Sequence, residues 1–492
     1  MSAMRRASLG ILALAAGCRV GPSTRVDAVV PTVATRTGDA TSPAARAFLD
    51  SLARARAADA VDSNGRPLPA PRALDTAAAP AWLDVLHDPE LVSLVRAAVA
   101  DNRDLRAAQA RIREFRAQRT AARAALFPQL TANGATSTNQ SAFGPTVVPF
   151  NAIRATADLS WELDFWGRAR RGAEAAGFDL LGSEEDARAV ALTLVSDVAT
   201  AYLALREADA GLALAEQTLA SRTATLEIAR RRFAQGVISE LDVRQFEADV
   251  AAPAARVADF ARQRAEGENA LSLLLGRAPG PIVRGRALGE IVQAVAVPDS
   301  IPGALVARRP DVLRAQRDLQ AATARIGVAV ANRLPNIFIG AQYGSQRPSV
   351  NGLFGPQGEV YSLQAGISLP LFDGGRRASA TTVARAQAEA AQRQYEQTVL
   401  VALREASDAA SGVRLRHDQL VAQQTRERAL RAASSIAQRR YASGISSYLE
   451  VLDAQRGLFD AQLAQVQVER DYLTATVALY RALGGSWPAA RL

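Results

Sequence analysis

The chain is written twice, and that limits what it can fold into. Phe127-Pro128-Gln129-Leu130 returns as Leu334-Pro335-Asn336-Ile337, 207 residues on. Asp164-Phe165-Trp166-Gly167-Arg168 returns as Phe372-Asp373-Gly374-Gly375-Arg376, and Ile228–Gly236 returns as Ile436–Gly444, both at an offset of 208. Gly276 matches Gly484 in the same register. Four anchors at a nearly constant spacing mean a single structural unit duplicated.

Each unit reads as helix, two strands, long helix, turn, helix. In the first, Leu159, Trp161, Leu163 and Phe165 alternate with polar residues; in the second, Tyr361, Leu363, Ala365, Ile367, Leu369 and Leu371 do so. Period-two alternation gives one apolar and one polar face. The partner strands are expected at about 130–140 and 336–346. Strands of ~11 residues can cross a bilayer at a tilt, or belong to a soluble sheet. Four strands cannot close a membrane barrel, since the smallest have about eight. The membrane reading therefore demands several copies.

The helices set the scale. Gly167 to Gly236 and Gly375 to Gly444 are both intervals of 69 residues, nearly free of Pro. A continuous helix of that length is about 100 Å long. Val198, Leu205, Leu212, Leu219, Leu226 and Phe233 recur every seven residues, with Ala201, Ala208 and Ala215 on the same stripe. Such a seam suits close helix packing. Gly236 and Gly444 each end a helix, where glycine takes a left-handed conformation. Ser239 with Asp242, and Ser447 with Glu450, then read as capping boxes that start the returning helices. The two glycines are thus hairpin tips, expected far from the strands.

The amino terminus is an address. Arg5-Arg6 precedes the apolar run Leu9–Ala16, a secretory signal too short to span a bilayer. The run ends at Cys18, the only cysteine, so no internal disulfide can form. Residues 19–80 are rich in Ala, Pro, Arg, Asp and Thr and read as a largely irregular tether, with a short helix around 44–60 as an option. The division is 1–17 signal, 18–80 tether, 81–290 first repeat and 291–492 second repeat.

Composition argues against other classes. The net charge is +9, and every basic residue is Arg. These Arg are spread among Asp, Glu and Gln rather than clustered, so no nucleic-acid partner is expected. His87 and His417 lie far apart, and no metal-ligand spacing, nucleophile elbow or phosphate loop occurs. No cofactor, metal or enzymatic activity is expected.

Leu14-Ala15-Ala16-Gly17-Cys18 resembles a bacterial lipobox, with Ala15 where Leu is usual. Further on, Trp82-Leu83-Asp84, Asn102-Arg103-Asp104-Leu105, Leu126-Phe127-Pro128, Asp164–Arg168, Leu371–Arg376 and the two glycine tips occur in order. The set resembles the TolC-type outer membrane factors, in the lipoprotein (NodT-like) branch that serves resistance-nodulation-division (RND) efflux pumps. The resemblance covers Ala81 to the end, with Cys18 added. It implies a mainly α fold with a small β part: a homotrimer closing a 12-stranded outer-membrane barrel above a periplasmic α-barrel of long hairpins. Residues near 278–301 and the carboxyl terminus would join an equatorial collar.

The function implied is a passive duct in a tripartite efflux system, carrying drugs or other small molecules. Its partners would be a periplasmic adaptor docking at Gly236 and Gly444, an inner-membrane RND transporter, and outer-membrane lipid held through lipidated Cys18. The periplasmic gate would be formed by Tyr441, Leu449, Glu450 and Asp453. A basic residue often follows the second tip glycine by two positions; here Ser446 stands there. Glu450 has a competing duty in the capping box. Asp453 has none, and its counterpart in the first repeat is Gln245. Two other readings stay open: the duct of a type I protein secretion system, and a soluble periplasmic coiled-coil scaffold.

Overall fold

Both 69-residue intervals are helical in the computed structural model, which describes residues 86–485 except 144–145, 293–302, 352 and 354. The signal, Cys18, the tether, Trp82 and the 293–301 part of the 278–301 stretch lie outside the described residues.

The first repeat begins with α1 (Pro89–Asp101) and α2 (Arg103–Ala124), followed by β1 (Gln129–Phe143) and β2 (Thr146–Leu163). The long helix α3 (Arg168–Ala234) and the returning α4 (Glu240–Leu274) form its hairpin. Short helices α5 (Leu288–Ile291) and α6 (Gly303–Val306) lead to the second repeat: α7 (Pro310–Ala331), β3 (Asn336–Arg347), β4 (Glu359–Ser368), α8 (Arg376–Ala442) and α9 (Tyr448–Ala482). The long helices have 67 residues each and the returning ones 35 each. Every hairpin boundary repeats at the offset of 208.

The repeated motifs punctuate the chain. Asp164 accepts from the backbone N–H groups of Ala169 and Arg170 at 3.0 and 2.9 Å, capping α3. Asp373 accepts from those of Gly375 and Arg377 at 3.1 and 3.3 Å at the start of α8. Gly167 and Gly375, at φ 79° and 86°, make the turn into each helix. Where one helix was expected before β1, two occur. Asn102 separates them, its side chain accepting from Leu105 N at 3.0 Å and donating to Leu274 O at 3.0 Å.

The strands form one antiparallel sheet in the order β1-β2-β3-β4. Three are longer than the expected ~11 residues, at 15, 18 and 12, and β4 has 10. Phe165 falls beyond β2, because the chain turns at Asp164 to cap α3. Leu369 and Leu371 fall beyond β4, because Pro370 carries no N–H for the ladder. The register aligns Leu130, Leu159, Ala341 and Leu363 in one row and Thr131, Asp158, Gln342 and Ser362 in the next. One face is thus apolar and the other polar.

The chain divides into two compact units, and the long helices contribute to both. The first holds residues 110–185 and 313–397, including the sheet. Within it, no described residue covers the apolar sheet face: Tyr361, Leu363 and Ile367 are 81%, 79% and 72% exposed. Among the described residues, strands β1 and β4 each keep one unpaired edge.

The second unit comprises the described residues among 86–109, 186–312 and 398–485, including both hairpin tips. Its main core gathers Leu91, Val95, Leu105, Val198, Tyr202, Leu271 and Leu473. Buried Asp88 caps α1 through Glu90 N at 3.0 Å and accepts from Tyr202 Oη at 2.8 Å and Arg286 N at 3.2 Å. The heptad seam is buried at Val198, Leu205, Leu212 and Leu226, but Phe233 at its end is 45% exposed. The seam runs out one turn before the tip.

Candidate functional site

The two tips are built alike. At the first, Gly236 has φ 72°; its N–H donates to Phe233 O and that of Val237 to Arg232 O, both at 2.9 Å. At the second, Gly444 has φ 72°, and Gly444 N and Ile445 N donate to Tyr441 O and Arg440 O, both at 2.9 Å. This pair of bonds closes a helix with glycine in the left-handed conformation. A Cβ on either glycine would meet nothing within 4 Å. The backbone, not crowding, demands glycine here. Around them Val237, Leu241, Ile445 and Leu449 are 59–68% exposed. They form two apolar pairs related by the repeat, of which the sequence reading named only Leu449.

The returning helices start differently. The capping box at Ser239 is complete: Ser239 Oγ accepts from Asp242 N at 3.3 Å, and Asp242 Oδ2 accepts from Ser239 N at 2.9 Å. The expected second box is absent, since Ser447 makes no side-chain cap bond. Glu450 instead pairs with Arg440 Nε at 3.2 Å across the turn. Glutamate reaches one methylene further than aspartate, and a guanidinium stands within that reach. Glu450 therefore ties the two arms of its hairpin rather than capping one of them.

Of the four expected gate residues, the structure engages Tyr441 and Glu450 and leaves Leu449 and Asp453 exposed. Tyr441 Oη accepts from Arg232 Nη1 at 2.7 Å, joining the second hairpin to the first. Its ring lies 5.3 Å from that of Tyr448, which lies 4.2 Å from Phe246. Burial, with the Asp249 charge nearby, pushes the Tyr448 hydroxyl up to about 12. Asp453 makes no ion pair among the described residues.

Sequence reasoning missed the strongest polar feature near the tips. Arg222 on α3 donates through Nη1 to the Asp249 carboxylate and to Asp249 O at 3.2 Å. Arg456 on α9 donates to the same carboxylate at 2.9 Å. The Arg222 and Asp249 side chains are only 7% and 3% exposed. A signal existed: Arg222 lies 14 residues before Gly236 and Asp249 lies 13 after it, so they face each other across the hairpin. The reach of Arg456 from the other hairpin had no such signal.

Duplicated long hairpins, matched glycine tips and a small sheet bare on its apolar face define a class: the channel subunits of TolC-type export ducts. Comparison with known proteins agrees. The outer membrane efflux protein model matches residues 94–277 and 301–485, and the chain belongs to that family. It is 34% identical over 417 residues to the probable efflux pump outer membrane protein TtgC of Pseudomonas putida, covering 84% of this chain and 86% of TtgC. It is 35% identical over 427 residues to outer membrane protein OprJ of Pseudomonas aeruginosa, covering 83% and 87%. Among solved structures, the outer-membrane channel OprN superposes with a TM-score of 0.80 at 30% identity, over 96% of this chain and 100% of that one. The open state of the Neisseria gonorrhoeae MtrE channel gives 0.74 at 29% identity, over 81% and 89%. This protein is thus an outer-membrane channel component of a tripartite efflux system.

Proposed function

We propose that three copies of this chain close a 12-stranded barrel, and that the resulting duct passes small molecules delivered by a periplasmic adaptor and an inner-membrane RND-type transporter. The observation that carries this reading is the sheet: four strands, two open edges and an apolar face with no cover. Three such sheets joined edge to edge satisfy the ladders and turn the apolar faces to lipid. Relatives are named for antibiotic and toluene efflux, which supports small apolar cargo over secreted protein.

The exposed pairs Val237–Leu241 and Ile445–Leu449 offer the adaptor an apolar landing strip at each tip. At the gate, Tyr441 and Leu449 act as steric elements and Asp453 as the charged one. Ser446 leaves the family's basic lock empty; the Arg232–Tyr441 bond supplies a tie between hairpins instead. Cys18 carries the lipid anchor, and fatty-acid labelling that disappears in Cys18→Ser checks it.

The test is complementation. In a Gram-negative host deleted for its own duct, expression with an RND transporter and its adaptor should restore drug resistance. Restoration of type I protein secretion without drug resistance would sink the proposal.

A further inference from the structure

The polar face of the sheet carries two opposite charges that no gate or docking role uses. Asp158 lies about two-thirds of the way along β2. Its carboxylate accepts from Asn133 Nδ2 of β1 at 2.6 Å, Gln342 Nε2 of β3 at 2.5 Å and Thr156 Oγ1 at 3.0 Å. All three donors are neutral. They fix the carboxylate across three strands without cancelling its charge. Arg154, four residues earlier on the same face, donates twice to Gln346 Oε1, at 3.0 and 2.7 Å. It too has a neutral partner and keeps its charge. A third charge on this face, Glu162, is paired with Arg168 at 2.6 Å.

Along a strand, four residues span about 13 Å. The positions of Arg154 and Asp158 on the strand are therefore about 13 Å apart, and the Arg154 charge still acts weakly on the Asp158 carboxylate. Arg154 lies toward the β1–β2 hairpin and Asp158 toward α3.

We propose that Asp158 and Arg154 form two rings of opposite sign in the lumen of the β-barrel, and that they determine how charged solutes pass through it. The proposal rests on the trimeric closure argued above. That closure makes each residue a ring of three and sends the polar face inward. Residues facing a barrel lumen tune selectivity. Solutes leaving the α-helical part meet the acidic ring first, which concentrates cations and repels anions. They then meet the basic ring, which does the reverse. The rings act where the passage is lined by strands and are independent of the periplasmic gate.

A thiol reporter reads the acidic ring directly. Ser160 is exposed on the same face two residues from Asp158. Trimers of Ser160→Cys with Cys18→Ser are placed in lipid vesicles. They are treated with a trimethylammonium-ethyl or a sulfonatoethyl methanethiosulfonate, and the ratio of the two labelling rates is measured. The Asp158 carboxylate of the same strand, about 7 Å away, with its two ring mates farther off, should make that ratio fall roughly five- to tenfold in Asp158→Asn at ~10 mM salt. The difference should vanish at ~1 M salt, where the Debye length is about 3 Å. Arg154→Gln should raise the ratio. An unchanged ratio in assembled Asp158→Asn trimers overturns the rings. A Leu159→Cys reporter that labels while Ser160→Cys does not overturns the inward polar face, and with it the barrel reading beneath.

Discussion

Replacing Asp249 by Leu should loosen the hairpins more than any other single change near the tips. The substitution leaves the Arg222 guanidinium, 7% exposed, without its counter-charge. Removing one partner of a buried ion pair costs about 3–5 kcal/mol, because the remaining charge stays out of water. Arg222 keeps its place over the Phe459 ring at 5.6 Å, a contact worth about 0.5–2 kcal/mol, so the lower end of the range is expected. Arg456 is 48% exposed and rehydrates at little cost. Restoring neutrality with Arg222→Met in the same chain should recover most of the loss, since apolar replacement of a whole buried pair is often neutral. The assay is native-state hydrogen exchange of amides on α3 and α4 at fixed protein concentration, which reads the local opening free energy. Asp249→Leu should lower it by about 3 kcal/mol, and the double variant by much less. A single variant within about 0.5 kcal/mol of the parent, or a double variant as loose as the single, would refute the reasoning.

At the tip, Gly444→Arg should cost only about 1 kcal/mol of backbone strain, because its Cβ meets nothing. Trimers should still form on native gels while drug export is lost; normal export would remove the docking role. In planar bilayers Asp453→Ala should raise conductance or weaken block by multivalent cations, as expected for a carboxylate ring. Glu450→Gln breaks only the half-exposed pair with Arg440, worth up to about 1 kcal/mol, and should change conductance less; the reverse order would exchange the two roles. Burial raises the Glu469 carboxyl above its ordinary value, against a weaker opposing bond from Gln465. A raised folded-state pKa contributes stability below the unfolded value of about 4.3, and that contribution is lost as pH rises through the folded value. Relative to the parent, Glu469→Gln should therefore melt higher at neutral pH, with the gain shrinking as pH falls toward 4; a pH-independent difference would contradict the assignment.

Periodicity and duplication determined the architecture without any coordinates. The offset of 208 dictates that one unit occurs twice. The 69-residue intervals require helices of that length. Alternation at 159–163 and 361–367 requires strands with one apolar face, and Gly236 and Gly444 require left-handed helix ends. Each of these is a local property of the backbone or a repeat along one dimension, so it is legible in order along the chain. Of the site, the tips and the capping box at Ser239 were legible for the same reason.

What only the tertiary structure decided is which side chains meet across elements. Glu450 was legible as a capping acid and became the partner of Arg440, because the turn brings an arginine within its reach. Arg222, Asp249 and Arg456 come together from three helices of two repeats. No residue spacing encodes the side-by-side packing that joins them. Phe165, Leu369 and Leu371 continued the strand pattern, yet a capping carboxylate and a missing proline N–H ended the strands before them. Hydrophobic periods fix which face of an element is buried. Charge pairing falls off steeply with distance and is settled by ångström-scale placement, which emerges only once the faces have packed.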